Sequence, residues 1–249
     1  MIKNLSNEYY KKIRKTNLKK DLYILIEGER LIFQLITYNV RIVELYIKGN
    51  KVEQYKNLIE LSKCHVFILS DSQSEALSET KQEQGIFALI EWKLTQLENN
   101  LKKYIYLNNI TDPGNLGTII RTASAFGIEG LVIDNLCCDL FNPKVVRASM
   151  GALFVMPILR VNQDWIGSGN RKLCVTVCNN EVISLNDYLA QVTDSHENVF
   201  VIGSEAHGVS DYILNLPHEK VTIHTKGNMQ SLNVAIATGI MIYEISRCF

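Results

Sequence analysis

Five short runs, YIYL (104–107), GLVID (130–134), LCVTV (173–177), NVFVIG (198–203) and KVTIH (220–224), are apolar almost without interruption. Successive side chains of a strand point to opposite faces, so a strand that is apolar throughout has two faces to bury. Helices on both sides of a mostly parallel sheet meet that demand. Helical windows fall between the runs, at 113–126 and 142–150, and a long final one covers 231–247. In the last, Leu232, Ala235, Ile236, Gly239, Ile240 and Tyr243 recur at helical spacing. Pattern alone draws an unknotted, doubly wound α/β sheet from this half of the chain.

The first part alternates in the same way. LYILIEG (22–28), IVELYIK (42–48), CHVFILS (64–70) and GIFALIEW (85–92) read as strands rich in β-branched and aromatic residues. Helical windows lie at 28–38, 52–62 and 71–80, which predicts a small α/β sandwich. KLTQLENNLKK (93–103) is polar and has no strand pattern. The 249 residues therefore divide into a domain at 1–95, a linker at 96–103 and a second domain at 104–249, with no internal repeat.

Lysine plus arginine and aspartate plus glutamate stand at 26 each, so any nucleic-acid role rests on a local patch. One such patch is Lys3, Lys11, Lys12, Arg14, Lys15, Lys19 and Lys20 against the single acid Glu8. It reads either as the solvated face of an amphipathic first helix or as an arm that contacts phosphates. Cysteines 64, 137, 138, 174, 178 and 248 form no C-x-x-C pair and have no histidine at zinc spacing. Free thiols in a reducing cytoplasm and no bound metal are expected. The N-terminus lacks the apolar core of a signal peptide, and NVAIATGIMIYEI (233–245) is too short and polar-studded to span a membrane. No G-x-G-x-x-G follows a strand and no P-loop occurs, which argues against a dinucleotide oxidoreductase or a P-loop enzyme.

Three segments carry chemistry. In DPGNLGTIIRTASAFG (112–127), Asp112 suits an N-cap and Pro113 the first helical position. Leu116, Ile120, Ala123 and Gly127 form one packed stripe, while Thr118, Arg121 and Thr122 point elsewhere. Gly114 and Gly117 clear the helix start for close approach by another chain or a ligand, and helix N-termini attract anions. Arg121 reads as a structural ion pair or as a holder of a phosphate or carboxylate. FVIGSEAHGVSDYI (200–213) ends a buried strand in Gly203 and turns sharply through Glu205 and Gly208, where open α/β sheets bind ligands. In VTIHTKGNMQSLNVAIATGIMIYEI (221–245), a loop with Gly227 leads to Ser231, a suitable N-cap. Asn233 then sits in the first turn with no evident packing role.

Together these segments resemble the SpoU (TrmH-like) family of RNA ribose 2′-O-methyltransferases, within the SPOUT class. The first motif is matched by Asn115, Gly117, Arg121, Thr122, Ala123, Phe126 and Gly127. Gly203, Glu205, Gly208 and Ser210 match the second, and Gly227, Ser231, Leu232, Asn233, Ala237, Tyr243 and Glu244 the third. NPKVVRASMGALFVMPI (142–158) is similar to the family's intervening segment, so the resemblance covers residues 104–247. YILIEGERLIFQLI (23–36) resembles the start of the ribosomal-protein-like RNA-binding domain that many members carry.

The resemblance implies a parallel-sheet domain tied in a deep trefoil knot, working as a homodimer on RNA with S-adenosylmethionine. Gly203, Ser204, Ile223 and Leu232 would line the donor pocket with Thr176 and Val177 nearby, largely through backbone groups. Arg121 would be the catalytic residue, reaching towards the partner's donor, and Asn115, Ser231 and Asn233 would orient it and the ribose. Glu205 would pair with Arg121 or fix the second loop. Lys11, Lys12, Arg14, Lys15, Lys144 and Arg147 are the expected RNA contacts. Ribosomal RNA is the expected substrate. Transfer RNA, or a non-enzymatic RNA-binding role of the same fold, is the alternative, though the latter would be expected to lose Arg121 or Asn233. This chain departs from the family pattern at Ser204, where Asn or Ala is frequent, at Ala206 for Gly, and at His224 and Thr225, where Pro-Met is common.

Overall fold

A computed structural model describes residues 2–14, 23–80, 82–92, 103–169, 171–179, 181–192, 197–205, 207–227 and 231–248, without the side chains of Lys12, Arg14 and Lys103. Lys15, Lys19, Lys20, Ala206 and all but the last residue of the expected linker lie outside the described residues. The chain divides into two units, residues 1–93 and 94–249.

In the first unit the elements run β1 (Ile2–Asn4), α1 (Asn7–Arg14), β2 (Tyr23–Glu27), α2 (Glu29–Thr37), β3 (Ile42–Lys48), α3 (Lys56–Ser62), β4 (His65–Leu69), α4 (Asp71–Leu77) and β5 (Ile86–Glu91). They form a five-stranded sheet in the order β1-β4-β3-β5-β2. β3 pairs parallel with β4 and antiparallel with β5, and β5 pairs antiparallel with β2. Strand β1 has no apolar run to announce it: Ile2, Lys3 and Asn4 are all exposed. It forms because edge strand β4 offers free backbone groups, and pairs with it in parallel from Ile2 opposite Val66. One core cluster gathers Leu5, Ile13, Tyr46, Leu69 and Phe87, so helix α1 does bury an apolar face while Lys11 stays exposed.

The second unit runs β6 (Lys103–Leu107), α5 (Pro113–Ala125), β7 (Leu131–Asp134), α6 (Pro143–Ser149), β8 (Ile158–Val161), α7 (Asp164–Gly167), β9 (Arg171–Thr176), β10 (Ile183–Ser184), α8 (Leu185–Leu189), β11 (Glu197–Ile202), α9 (Asp211–Leu214), β12 (His218–Thr222) and α10 (Val234–Cys248). Its seven strands lie in the order β10-β12-β9-β11-β6-β7-β8, and every pairing is parallel. The apolar runs occupy the middle of this sheet, as two-sided burial requires. Val132, Val175, Val199 and Val201 pack with Tyr104, Tyr106 and Ile213 on one side. Strand β8 carries Arg160 inside ILRV, which hides it from an apolar search. The arginine is used at the sheet edge, donating to the carbonyls of Asp134, Cys137 and Cys138.

A buried polar latch fixes the carboxyl ends of the central strands. Asp134, fully buried, accepts from Asn108 Nδ2 at 2.6 Å and from the N–H groups of Asn109, Leu136 and Cys137. Asn108 Oδ1 in turn accepts from the Ser210 N–H at 2.7 Å, tying β6 to the segment after β11. Asp134→Ala strands these donors without water and is expected to cost about 3 kcal/mol or more. Asp134→Asn keeps one acceptor oxygen and should cost less. Urea midpoints of the two variants check both the size and the order.

Candidate active site

The carboxyl ends of β6, β9, β11 and β12 converge with the N-termini of α5 and α10. Asp112 caps α5 through Oδ1, which accepts from the Asn115 N–H at 2.8 Å, and Lys144 Nζ stands 3.1 Å from Oδ2. The Asn115 N–H, and then Lys144, hold the Asp112 carboxyl below the usual carboxylate range. Lys144, expected at a phosphate, is therefore engaged with Asp112. The neighbour that requires Gly117 is α6 of the same chain. A Cβ there would sit 2.6 Å from Ala148 Cβ and 2.8 Å from the Val145 carbonyl.

Leu116, Ile119, Ile120 and Ala123 form the buried face of α5. Gly127 is not part of that stripe. It is exposed at φ 68° and closes the helix, its N–H bonded to Ser124 O while Ile128 N–H reaches Ala123 O. Arg121 is exposed and makes no hydrogen bond or ion pair among the described residues, so the structural ion pair is not formed there. Thr118, Arg121 and Ala125 follow one another along the solvent side of the helix.

After β11 the chain folds back on itself, with Ser204 and Gly208 bonded to each other across a tight hairpin at 2.9 and 3.0 Å. Glu205, at its tip, does not pair with Arg121. Its Oε1 accepts from Asn115 Nδ2 at 2.9 Å, from Asn233 Nδ2 at 2.8 Å and from the Val234 N–H at 3.1 Å. Asn233 Nδ2 also lies 3.2 Å from Asn115 Oδ1. Three separate motifs thus meet at one carboxylate oxygen.

The same geometry corrects the reading of the last helix. It begins at Val234, and its cap is Asn233, not Ser231: Asn233 Oδ1 accepts from the N–H groups of Ala235 and Ile236. A weak helix former in the apparent first turn was the available signal for a cap.

Two hollows flank this network. One, of about 240 Å3, lies at the ends of β9 and β12 and is lined by Thr176, Val177, Ile223, Ser231 and Leu232, together with Cys178, Thr222, Thr225, Gly227 and Ala237. The other, of about 210 Å3, holds Asn109, Asp112, Asn115, Ser204, Glu205 and His207. Ser204 thus stands in the second hollow, and Gly203 lines neither of the two. Asn109 and His207 escaped the sequence reading, because neither belongs to a periodic pattern. His224 is exposed beside the first hollow's rim, and Lys11 and Arg147 are exposed on α1 and α6.

All six cysteines are free. Burial pushes the Cys137 thiol up to about 12 and Cys138 to about 11, which keeps both protonated. The described residues contain no cluster that could hold a metal ion, and no described helix is long and apolar enough to cross a membrane.

Fold and site define an α/β protein with a hollow at the carboxyl edge of a parallel sheet, where such folds bind ligands, beside a polar network built from two helix N-termini. The model of the SpoU rRNA Methylase family matches residues 102–243. The chain belongs to that family. It is 27% identical over 248 residues to the 23S rRNA (guanosine(2553)-2′-O)-methyltransferase RlmP of Bacillus subtilis, covering 98% of each chain. It is 28% identical over 227 residues to the 23S rRNA (guanosine-2′-O-)-methyltransferase RlmB of Coxiella burnetii, covering 83% of this chain and 88% of the other. Among solved structures, the AdoMet-bound rRNA methyltransferase from Sinorhizobium meliloti superposes with a TM-score of 0.77 at 26% identity, covering 99% of this chain and 98% of that one.

Proposed function

We propose that the chain transfers a methyl group from S-adenosylmethionine to a ribose 2′-hydroxyl of ribosomal RNA. The observation that carries this reading is the convergence of Asn115 and Asn233 on one Glu205 oxygen, beside a hollow suited to the donor and on the helix that carries Arg121, which has no partner among the described residues. The relatives' names, which specify ribosomal RNA and a 2′-oxygen, support it.

The first hollow fits an adenosine-bearing donor. Its walls are aliphatic side chains, hydroxyls and loop backbone, with no charged side chain among the lining residues. Thr176, Val177, Ile223 and Leu232 would hold the donor there; Gly203 and Ser204, also expected at the donor, do not line this hollow. S-adenosylmethionine supplies a methyl group already activated by the positive charge on its sulfur. The protein's task is to align the 2′-oxygen with that carbon and to favour loss of the hydroxyl proton.

Arg121 steadies the developing alkoxide and holds the neighbouring phosphate; its guanidinium stays protonated and is not the proton acceptor. Asn115, Asn233 and Ser231 orient the ribose, and Glu205 fixes the two amides. Titration calorimetry should show binding of S-adenosylmethionine and none of NAD. Heat from NAD alone would contradict the reading.

The remaining architecture follows the same proposal. Residues 1–95 form an RNA-binding domain of the ribosomal-protein-like kind, residues 96–103 a linker and residues 104–249 the catalytic domain. Lys11, Lys12, Arg14, Lys15 and Arg147 supply phosphate contacts, while Lys144, expected among them, is held by Asp112. A trefoil knot is supported by the path after β12, which leaves the far side of β9 and returns to pack α10 on α5. A homodimer is supported by exposed apolar residues Ile236, Ile240 and Tyr243 on α10, the last edge-on to the equally exposed Phe126. In such a dimer, as the family resemblance implies, Arg121 would reach towards the partner's donor. Six free thiols fit a cytoplasmic location.

A further inference from the structure

The second hollow calls for an occupant of its own. Its lining is acceptor-rich: Asp112 is held by Asn115 and Lys144, and Glu205 Oε1 is taken up by three donors, leaving Oε2 with no hydrogen bond among the described residues. Lys144 offsets the Asp112 charge, but Glu205 has no cation beside it among the described residues, and its carboxylate disfavours a phosphate relative to a neutral, hydrogen-bonding group. Asn109 stands in this wall with φ 59°, a left-handed conformation held by the Asp134 carboxylate, which accepts its N–H at 3.0 Å. Its side-chain amide makes no hydrogen bond among the described residues, although it carries donor and acceptor side by side. His207, on the hairpin tip, presents an exposed ring whose nitrogens are equally unengaged there.

An amide that reads a base edge and a ring that stacks on its face are the two elements of single-stranded RNA recognition. Resting on the methyl-transfer reading above, we propose that this hollow seats the unstacked base of the acceptor nucleotide, with Asn109 reading its edge and His207 covering its face. The ribose then lies beside Asn115 and Asn233, and its phosphate falls outside the carboxylate-lined hollow, towards Arg121. Asn109 and His207 are specificity-determining residues. The substrate is a nucleotide extruded from helical stacking, not one within a duplex.

The test uses the full chain and a hairpin RNA carrying the nucleotide that ribose-methylation mapping identifies, made with its natural base or with an abasic ribose at that position. Asn109→Gly is the informative variant, because glycine keeps φ 59° without strain and removes only the amide. Removing the base should lower kcat/KM of the unaltered protein about tenfold or more, as loss of a base contact does. Asn109→Gly and His207→Ala should each show a loss of about five- to tenfold on the natural RNA and no further loss on the abasic one. His207→Phe, which keeps a stacking ring, should restore most of the rate. Equal losses on both RNAs, or indifference of the unaltered protein to the missing base, would overturn the proposal while leaving methyl transfer intact. Absence of transfer to any RNA, with S-adenosylmethionine still bound, would instead remove the reading on which it rests.

Discussion

Arg121→Ala is expected to lower single-turnover methyl transfer by about 10²- to 10³-fold, the usual loss when a preorganised donor to a developing oxyanion is removed. Binding of S-adenosylmethionine should stay within about twofold of the unaltered protein, because Arg121 is not among the residues lining the donor hollow. Stability should barely change: the side chain is exposed, has no partner among the described residues, and sits on a helix where alanine is favourable. Arg121→Lys should recover little, since a point charge does not reproduce the planar fork. Three measurements separate the roles: rapid-quench transfer, donor calorimetry and thermal unfolding. Near-normal turnover would remove Arg121 from the chemistry.

The second large effect is expected at Gly203. A Cβ there would lie 2.1 Å from the Gly208 carbonyl carbon and 2.3 Å from both the Gly208 oxygen and the Val209 nitrogen. These are backbone atoms on the other arm of the hairpin, so no side chain can move aside. Gly203→Ala must open the turn that presents Glu205, at a cost of about 3 kcal/mol, the upper range for an overpacked site. The Glu205 carboxylate would then lose its place between Asn115 and Asn233, and transfer should fall with stability. Gly239 is the control. A Cβ on it would meet only Thr122 Cγ2, at 3.8 Å, and Gly239→Ala in the middle of α10 should be neutral or stabilise by up to about 1 kcal/mol. Thermal unfolding of the pair tests the contrast.

What the residues announced in advance, and what they did not, follows from the range of the forces involved. Strands that bury both faces are local and continuous, so YIYL, LCVTV and NVFVIG marked β6, β9 and β11 at nearly their observed limits. Strand β1 owes its form to the edge of β4 and carries no such mark. Strand β8 was hidden by Arg160, whose value lies in three carbonyls presented by another loop. The site shows the same division. The resemblance to the family's motifs singled out Asn115, Glu205 and Asn233, yet their common meeting point joins positions far apart in the chain. Of the two roles expected for Glu205, a pair with Arg121 or an anchor for the second loop, the pair is not formed: two amides and a backbone N–H occupy Oε1 instead. Asn109 was invisible, because its left-handed backbone depends on Asp134, a residue of a different strand.

Ribose methylation mapped across ribosomal RNA from cells with and without this chain tests the central claim most directly. One 2′-O-methyl group should be present only when the chain is present, and purified chain with S-adenosylmethionine should restore it to RNA or ribosomal particles from the deficient cells. Identical maps in the two cell types, with no methyl transfer to the deficient material, would contradict the account.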